Sequence, residues 1–215
     1  MQKTDEPLCQ IKKNTPAETD IQILFQSENK GFSVLGSNAG STGTEIALQY
    51  KTLFFVLRGT LIISDMETHA WKLKKGDYIL LPKRETIRLH IAPDTRYIEL
   101  KTDKLVSPER ELCEYQVHNY DNYAPPRNGE IINRTILAGP HSILMTMLFS
   151  GEAGPAQYAL PGKAILFVME GRGEVFYKKQ LHQVFEGQKR SFANGGHFMV
   201  KAKGDLKAVL LVSLV

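Results

Sequence analysis

Residues 53–82 read LFFVLRGTLIISDMETHAWKLKKGDYILLP, and residues 165–194 read ILFVMEGRGEVFYKKQLHQVFEGQKRSFAN. Each stretch opens on a hydrophobic run that ends in glycine, Gly59 or Gly171. Each then passes through a short apolar segment and a polar turn, and resumes on a second glycine, Gly76 or Gly187. The glycine pairs lie 17 and 16 positions apart, so a single gap aligns the two stretches. Both continue through a turn into a further apolar segment, Ile87 to Ile91 or Phe198 to Lys201, and end in one more. Matched landmarks in this order indicate a duplicated unit.

Outward from these stretches the pattern is the same. Short runs of Val, Ile, Leu, Phe and Tyr are bounded by Gly, Pro, Asn or Asp, and sustained helical periodicity is missing, so the chain reads as all-β. The first series of expected strands is Ile21 to Gln26, Phe32 to Leu35, Leu53 to Leu57, Thr60 to Ser64, Tyr78 to Pro82, Ile87 to Ile91 and Arg96 to Leu100. The second is Ile143 to Phe149, Ala164 to Met169, Gly173 to Tyr177, Gln188 to Phe192, Phe198 to Lys201 and Leu206 to Val212. The expected division is a polar segment 1–20, read as flexible, a first unit 21–102, a linker 103–135 and a second unit 136–215. The linker is rich in Pro, Asn, Asp and Tyr. Its tyrosines Tyr115, Tyr120 and Tyr123 are expected to pin it against a unit's wall.

With 215 residues, each unit is long enough to bury a core. Cys9 and Cys113 stand far apart with no zinc-ligand spacing, which fits a reducing compartment and argues against a disulfide framework. No apolar run approaches a membrane span, and the opening MQKTDEPLCQ has no signal-like core, so a cytoplasmic location is expected. Lys+Arg number 27 against 23 Asp+Glu, for a net +4. The cations fall in scattered pairs such as Lys12-Lys13, Lys74-Lys75 and Lys178-Lys179, which does not describe a phosphate-tracking surface. Neither nucleic acid nor membrane is an expected partner. G-x-S-x-G, P-loop and dinucleotide fingerprints are absent, and Gly171-Arg172-Gly173 reads as a turn between strands. Glu109 and Glu111 read as a solvated linker face.

The paired glycines and the strand series resemble the cupin superfamily over about residues 32–101 and 142–215. The resemblance implies two tandem double-stranded β-helix barrels of jelly-roll type, packed face to face or joined in a homodimer. In that family a Gly-framed motif with His-x-His and Glu, followed by a second motif with one more His, binds a transition metal. Alternate strand residues share the barrel interior, which is why the spacing carries the chemistry. Counted from Gly40, the first unit's slots hold Ile46, Leu48 and Thr52, and the last holds Ile87. Counted from Gly151, the second unit's hold Gln157, Ala159 and Ala164, with Phe198 last. Neither set has the usual ligand types, so no metal or cofactor is expected.

Following the period of two from the slots, Ile46, Leu48, Phe54 and Val56 should face one interior. Leu166, Val168, Phe198 and Val200 should face the other. His197, one position from its slot, is the one histidine near a ligand position, whereas His69, His90, His118, His141 and His182 read as surface or satisfied polar groups. The candidate binding residues are therefore Gln157, Tyr158, Tyr177, Asn194, His197 and Phe198, all in the second unit, the first reading as the more thoroughly disabled. Three functions stay open. One is a metal-independent module that binds a small molecule such as a carbohydrate, one a sugar isomerase or epimerase with its site in the second unit, and one a structural or assembly protein.

Overall fold

The computed structural model describes residues 21–26, 31–102, 112–122, 126–151, 153–193 and 196–214. The segment 1–20, Cys9, Glu109, Glu111, Tyr123 and Asn194 lie outside them. Nine strands come from the first half: β1 (Ile21–Gln26), β2 (Phe32–Ser37), β3 (Ser41–Ala47), β4 (Lys51–Arg58), β5 (Thr60–Asp65), β6 (Ala70–Lys74), β7 (Asp77–Leu81), β8 (Thr86–Ile91) and β9 (Thr95–Thr102). They form two sheets, one in the order β1-β2-β9-β4-β7 and the other β3-β8-β5-β6. The second half supplies β11 (Ile131–Ala138), β12 (Ser142–Phe149), β13 (Ala156–Ala159), β14 (Gly162–Tyr177), β15 (Gln180–Phe185), β16 (Lys189–Phe192) and β17 (His197–Leu214).

Here the strand order repeats. Ala164–Phe167 of β14 pair with β16 and Arg172–Tyr177 with β15, while β17 follows β14 along both stretches. One long strand thus does the work of β4 plus β5, and another that of β8 plus β9. The sequence reading split each into two, because the bulges at Val168/Glu170 and Gly171/Gly173 look like breaks in a one-dimensional pattern. At the bend Gly171 has φ +81°, and a Cβ there would collide with the Asp205 carbonyl oxygen, so glycine is required.

The stretch 103–135, expected as a linker, contributes two strands. β10 (Val117–Asn119) adds to the edge of β7, and β11 opens at Ile131. The expected pinning is seen for Tyr120. Its ring packs near Phe55 at 6.4 Å and its hydroxyl donates to Glu170 Oε1 at 2.9 Å. Gly76, φ +85°, leaves the room this ring occupies.

Three apolar clusters result. Phe54, Val56, Leu61, Ile79, Leu89 and Tyr97 fill the first unit, and Leu166, Val168, Phe192, Phe198 and Val200 fill the second, as the period of two from the slots implied. Between them lies a seam to which both units contribute, with Leu53, Phe55, Ile98 and Leu100 packed with Leu144, Ile165, Val209 and Leu211. Sheets buried on both faces explain why Leu53–Leu57 of β4, Ala164–Met169 of β14 and Ala208–Val212 of β17 read as unbroken apolar runs. At the seam's rim Lys207 reaches Asp121 at 2.7 Å and Glu170 at 2.9 Å, and Lys75 reaches Glu186 at 2.7 Å. Among the described residues no helix is long and apolar enough to cross a membrane.

Candidate functional site

In the first unit the ligand slots converge, but with apolar side chains. Ile46 lies opposite Ile87 across β3 and β8, and Leu48, Thr52 and Ile87 are buried. The Thr52 hydroxyl is engaged with the Tyr50 carbonyl at 3.0 Å.

The second unit corrects the count from Gly151. Tyr158, not Gln157, lies opposite Phe198 on β17, as Ile46 lies opposite Ile87. The slots are therefore Tyr158 and Leu160, and a one-residue slip turns every side chain to the other face. Gln157 and His197 are exposed on the outer face, so the candidate pair does not enter the interior. The miscount arises because the loop before β13 is not of the length that a fixed spacing assumes.

Of the remaining candidates, Tyr158, Tyr177 and Phe198 do face inward, where they build a ladder of rings. Tyr158 stacks on Phe198 at 5.1 Å, Phe198 on Phe192 at 4.3 Å, and Tyr177 meets Phe192 edge-on at 5.1 Å. Both phenols are engaged, Tyr158 donating to Asn133 Oδ1 at 3.0 Å and Tyr177 accepting from the Ala193 amide at 2.9 Å. Burial pushes the Tyr158 phenol above its ordinary pKa. His182, read as satisfied, is 2.7 Å from Arg190 Nη2 through its Nε2. The slots of neither unit offer the nitrogen and carboxylate donors that a transition metal needs, and among the described residues no three His, Cys, Asp or Glu side chains converge.

Residues absent from the sequence candidates lie in the first unit. Along β9, Tyr97 faces the unit's interior and Ile98 and Leu100 face the seam, so Glu99 and Lys101 face inward. They sit beside Phe54 and Thr52 on β4, and Ser33 of β2 lies opposite Glu99. Lys101 Nζ is 3.3 Å from Glu99 Oε1, with side chains only 18% and 9% exposed. A carboxylate and an ammonium withdrawn from water to this extent carry a desolvation cost that their mutual attraction only partly returns. Together with Ile46, Leu48, Gln49 and Thr52 they line a cleft of about 10 Å³, near the least that holds one water.

This end of the unit is capped by aromatic and acidic groups. The Leu48 amide donates to the Glu85 carbonyl at 2.8 Å. The Glu85 carboxylate accepts from the Tyr115 hydroxyl at 2.8 Å, and the Tyr115 ring stacks on Trp71 at 5.6 Å. Partial burial, with the Glu85 and Glu114 carboxylates adding to it, pushes the Tyr115 phenol up to about 12. The signal that could have found Glu99 is its position. It is a charge set directly between the buried Ile98 and Leu100 in the middle of a strand.

No family model matches the sequence, and no curated protein matches it. Solved structures do match by shape. A cupin 2 conserved barrel domain protein from Leptotrichia buccalis superposes with TM-score 0.71 at 14% identity, covering 94% of this chain and 91% of that one. Protein Ylba from E. coli gives TM-score 0.62 at 13% identity, covering 94% and 86%. A variant of salicylate 1,2-dioxygenase from Pseudoaminobacter salicylatoxidans gives 0.61 at 10%, covering 85% and 70%. The chain thus has the cupin fold. At these identities the likeness extends to the fold alone.

Proposed function

We propose that the chain is a bicupin lacking the usual metal ligands, a metal-independent module that binds a small polar molecule in its first unit. The observation that carries this reading is the Glu99–Lys101 pair, Glu99 buried and Lys101 half-buried at the end of the interior where the ligand slots lie. A carboxylate that only accepts and an ammonium that only donates suit a ligand with both kinds of group, such as a polyhydroxylated sugar or a small zwitterion, seated at the mouth of the cleft, whose interior has room for about one water. In the second unit the positions matching Glu99 and Lys101 hold Leu210 and Val212, and its slots are closed by stacked rings. That packing favours a structural role for the second unit. An isomerase-type reaction there would need an acid and a base facing one cavity, and His197 and Gln157 face the other way.

The test is a thermal-shift screen of neutral sugars, small carboxylates, amines and amino acids against the wild type and a Glu99→Leu/Lys101→Val double variant. The expected result is a stabilising ligand whose effect disappears in the double variant and survives Tyr158→Phe. A ligand that binds the double variant unchanged would overturn the assignment.

A further inference from the structure

The duplication supplies an internal control for the rim of the second interior. Gly59 and Gly171 differ by 171 − 59 = 112 positions, and the same offset matches Ile63 with Val175 and Phe54 with Leu166. In the first unit the residues opposite Ile63 and Phe54 are Trp71 and Ile79. In the second unit the residues opposite Val175 and Leu166 are His182 of β15 and Arg190 of β16. Val184 and Phe192, two positions further along those strands, belong to the second unit's core, so His182 and Arg190 face inward at its rim, half-buried. Arg190 Nη2 donates to His182 Nε2 at 2.7 Å. A guanidinium has no lone pair to offer, so the imidazole nitrogen is the acceptor and His182 is neutral in this contact. Among the described residues no carboxylate pairs with Arg190. A half-buried guanidinium thus meets a neutral group, and the fold does not require either residue, because the first unit does without them.

We infer that Arg190 and His182 form a binding site for a small oxyanion, a phosphate, sulfate or carboxylate group, at the rim of the second unit. The surroundings carry one sign. From Lys178 to Arg190 the chain holds Lys178, Lys179, Lys189 and Arg190 against Glu186 alone, and Glu186 is taken by Lys75 at 2.7 Å. The guanidinium N–H groups not used by His182 offer the planar fork that grips two oxygens of such a group. An anion there also favours the imidazolium, which turns from acceptor to donor, so binding takes up a proton. The other ionisable groups on the neighbouring strands do not compete for this role. Arg172 and Glu174 of β14 belong to the outer face, where Glu174 meets Gln183 at 2.9 Å and Lys203 at 3.5 Å. The Tyr177 hydroxyl accepts from the Ala193 amide at 2.9 Å, and Lys189, next to Arg190 on β16, turns to the opposite face. Val175 and Leu166 behind the pair are buried, which weakens the competition from water. A nucleic-acid backbone is a poor fit, because the two groups face an interior rim rather than an exposed stripe.

The experiment titrates the full chain with sodium sulfate and, separately, sodium acetate at about pH 6 and about pH 8, either side of the ordinary histidine pKa. Neither anion changes charge over this range, and chloride holds the ionic strength constant. Backbone amide NMR shifts report binding. At least one of the two anions should saturate the wild type, with shifts centred on β15 and β16, and should bind about fivefold or more tightly at the lower pH. Arg190→Gln should weaken binding about tenfold or more at the lower pH while keeping the melting temperature. His182→Gln, which still accepts from Arg190, should bind with the same affinity at both pH values. Saturation by neither anion, shifts centred elsewhere, or an Arg190→Gln variant that binds like the wild type would overturn the inference. So would a pH response that survives His182→Gln. The Glu99→Leu/Lys101→Val double variant should bind the anion unchanged, and a loss there would place the anion in the first unit and overturn the assignment. The ligand of the first unit is tested by its own screen and plays no part in this outcome.

Discussion

Two units of one fold, built from matching strands, share an apolar interior but differ at one end of it. The first holds Ser33, Glu99, Lys101 and Thr52 where the second holds Met145, Leu210, Val212 and Ala164. Both have a similar strand order, so the difference is not one the fold imposes. An apolar set is enough to hold such a unit together, as the second demonstrates. The charged pair in the first is therefore surplus to stability, and surplus buried charge is where function is sought.

This comparison can be attacked at its strongest point first. Phe198 sits between Tyr158 and Phe192, and truncating it leaves a void that two flanking rings cannot fill. Phe198→Ala should cost about 4 kcal/mol in chemical denaturation. A loss under about 1 kcal/mol would mean that the second interior is loose, and the contrast between the units would fail. Next, Lys101→Met alone leaves Glu99 without its partner, and should cost about 3 kcal/mol. Importing the second unit's residues as Glu99→Leu/Lys101→Val should instead be neutral, or stabilising by up to about 2 kcal/mol. A double variant that melts well below the wild type would make the pair a structural element.

The smallest effect concerns the seam, which both units share. Burial works against Glu170 ionising, but the hydrogen bonds from Lys207 and Tyr120 outweigh it and hold the carboxyl below its usual range. A depressed carboxyl adds stability above its unfolded pKa and loses it as pH falls through the folded value. Lys207 is raised despite burial, by Asp121 and Glu170, so its contribution holds below the unfolded lysine pKa and fades at alkaline pH. Glu170→Gln should cost about 0.5–1 kcal/mol at neutral pH. Its melting temperature should also fall less than the wild type's on acidification from about pH 6 to pH 3. Parallel pH profiles would remove Glu170 from the seam's stabilising contacts.

Much of this was legible in the sequence. The apolar runs located the long strands because those strands are buried on both faces. The glycines revealed the repeat because a positive φ at Gly59 and Gly171 admits little else. What stayed hidden has physical reasons. β3, β6, β13 and β15 are short and partly exposed, so residues such as Ser41 to Glu45 read as loop. The second unit's slots moved by one residue because counting from Gly151 cannot sense loop length. Glu99 and Lys101 are not histidines at a family spacing, and only the fold shows that these charges, alternating with buried apolar residues along β9, face the interior.

The shared seam also bears on how the chain can be divided. Leu53, Phe55 and Leu100 are covered by Ile165, Val209 and Leu211 from the other half, so either half made alone would present a large bare apolar sheet to water. Two fragments separated between β10 and β11 are expected to be poorly soluble singly and to reassemble when co-expressed. The molecule would then serve as a split reporter, in which restoring the seam restores the whole.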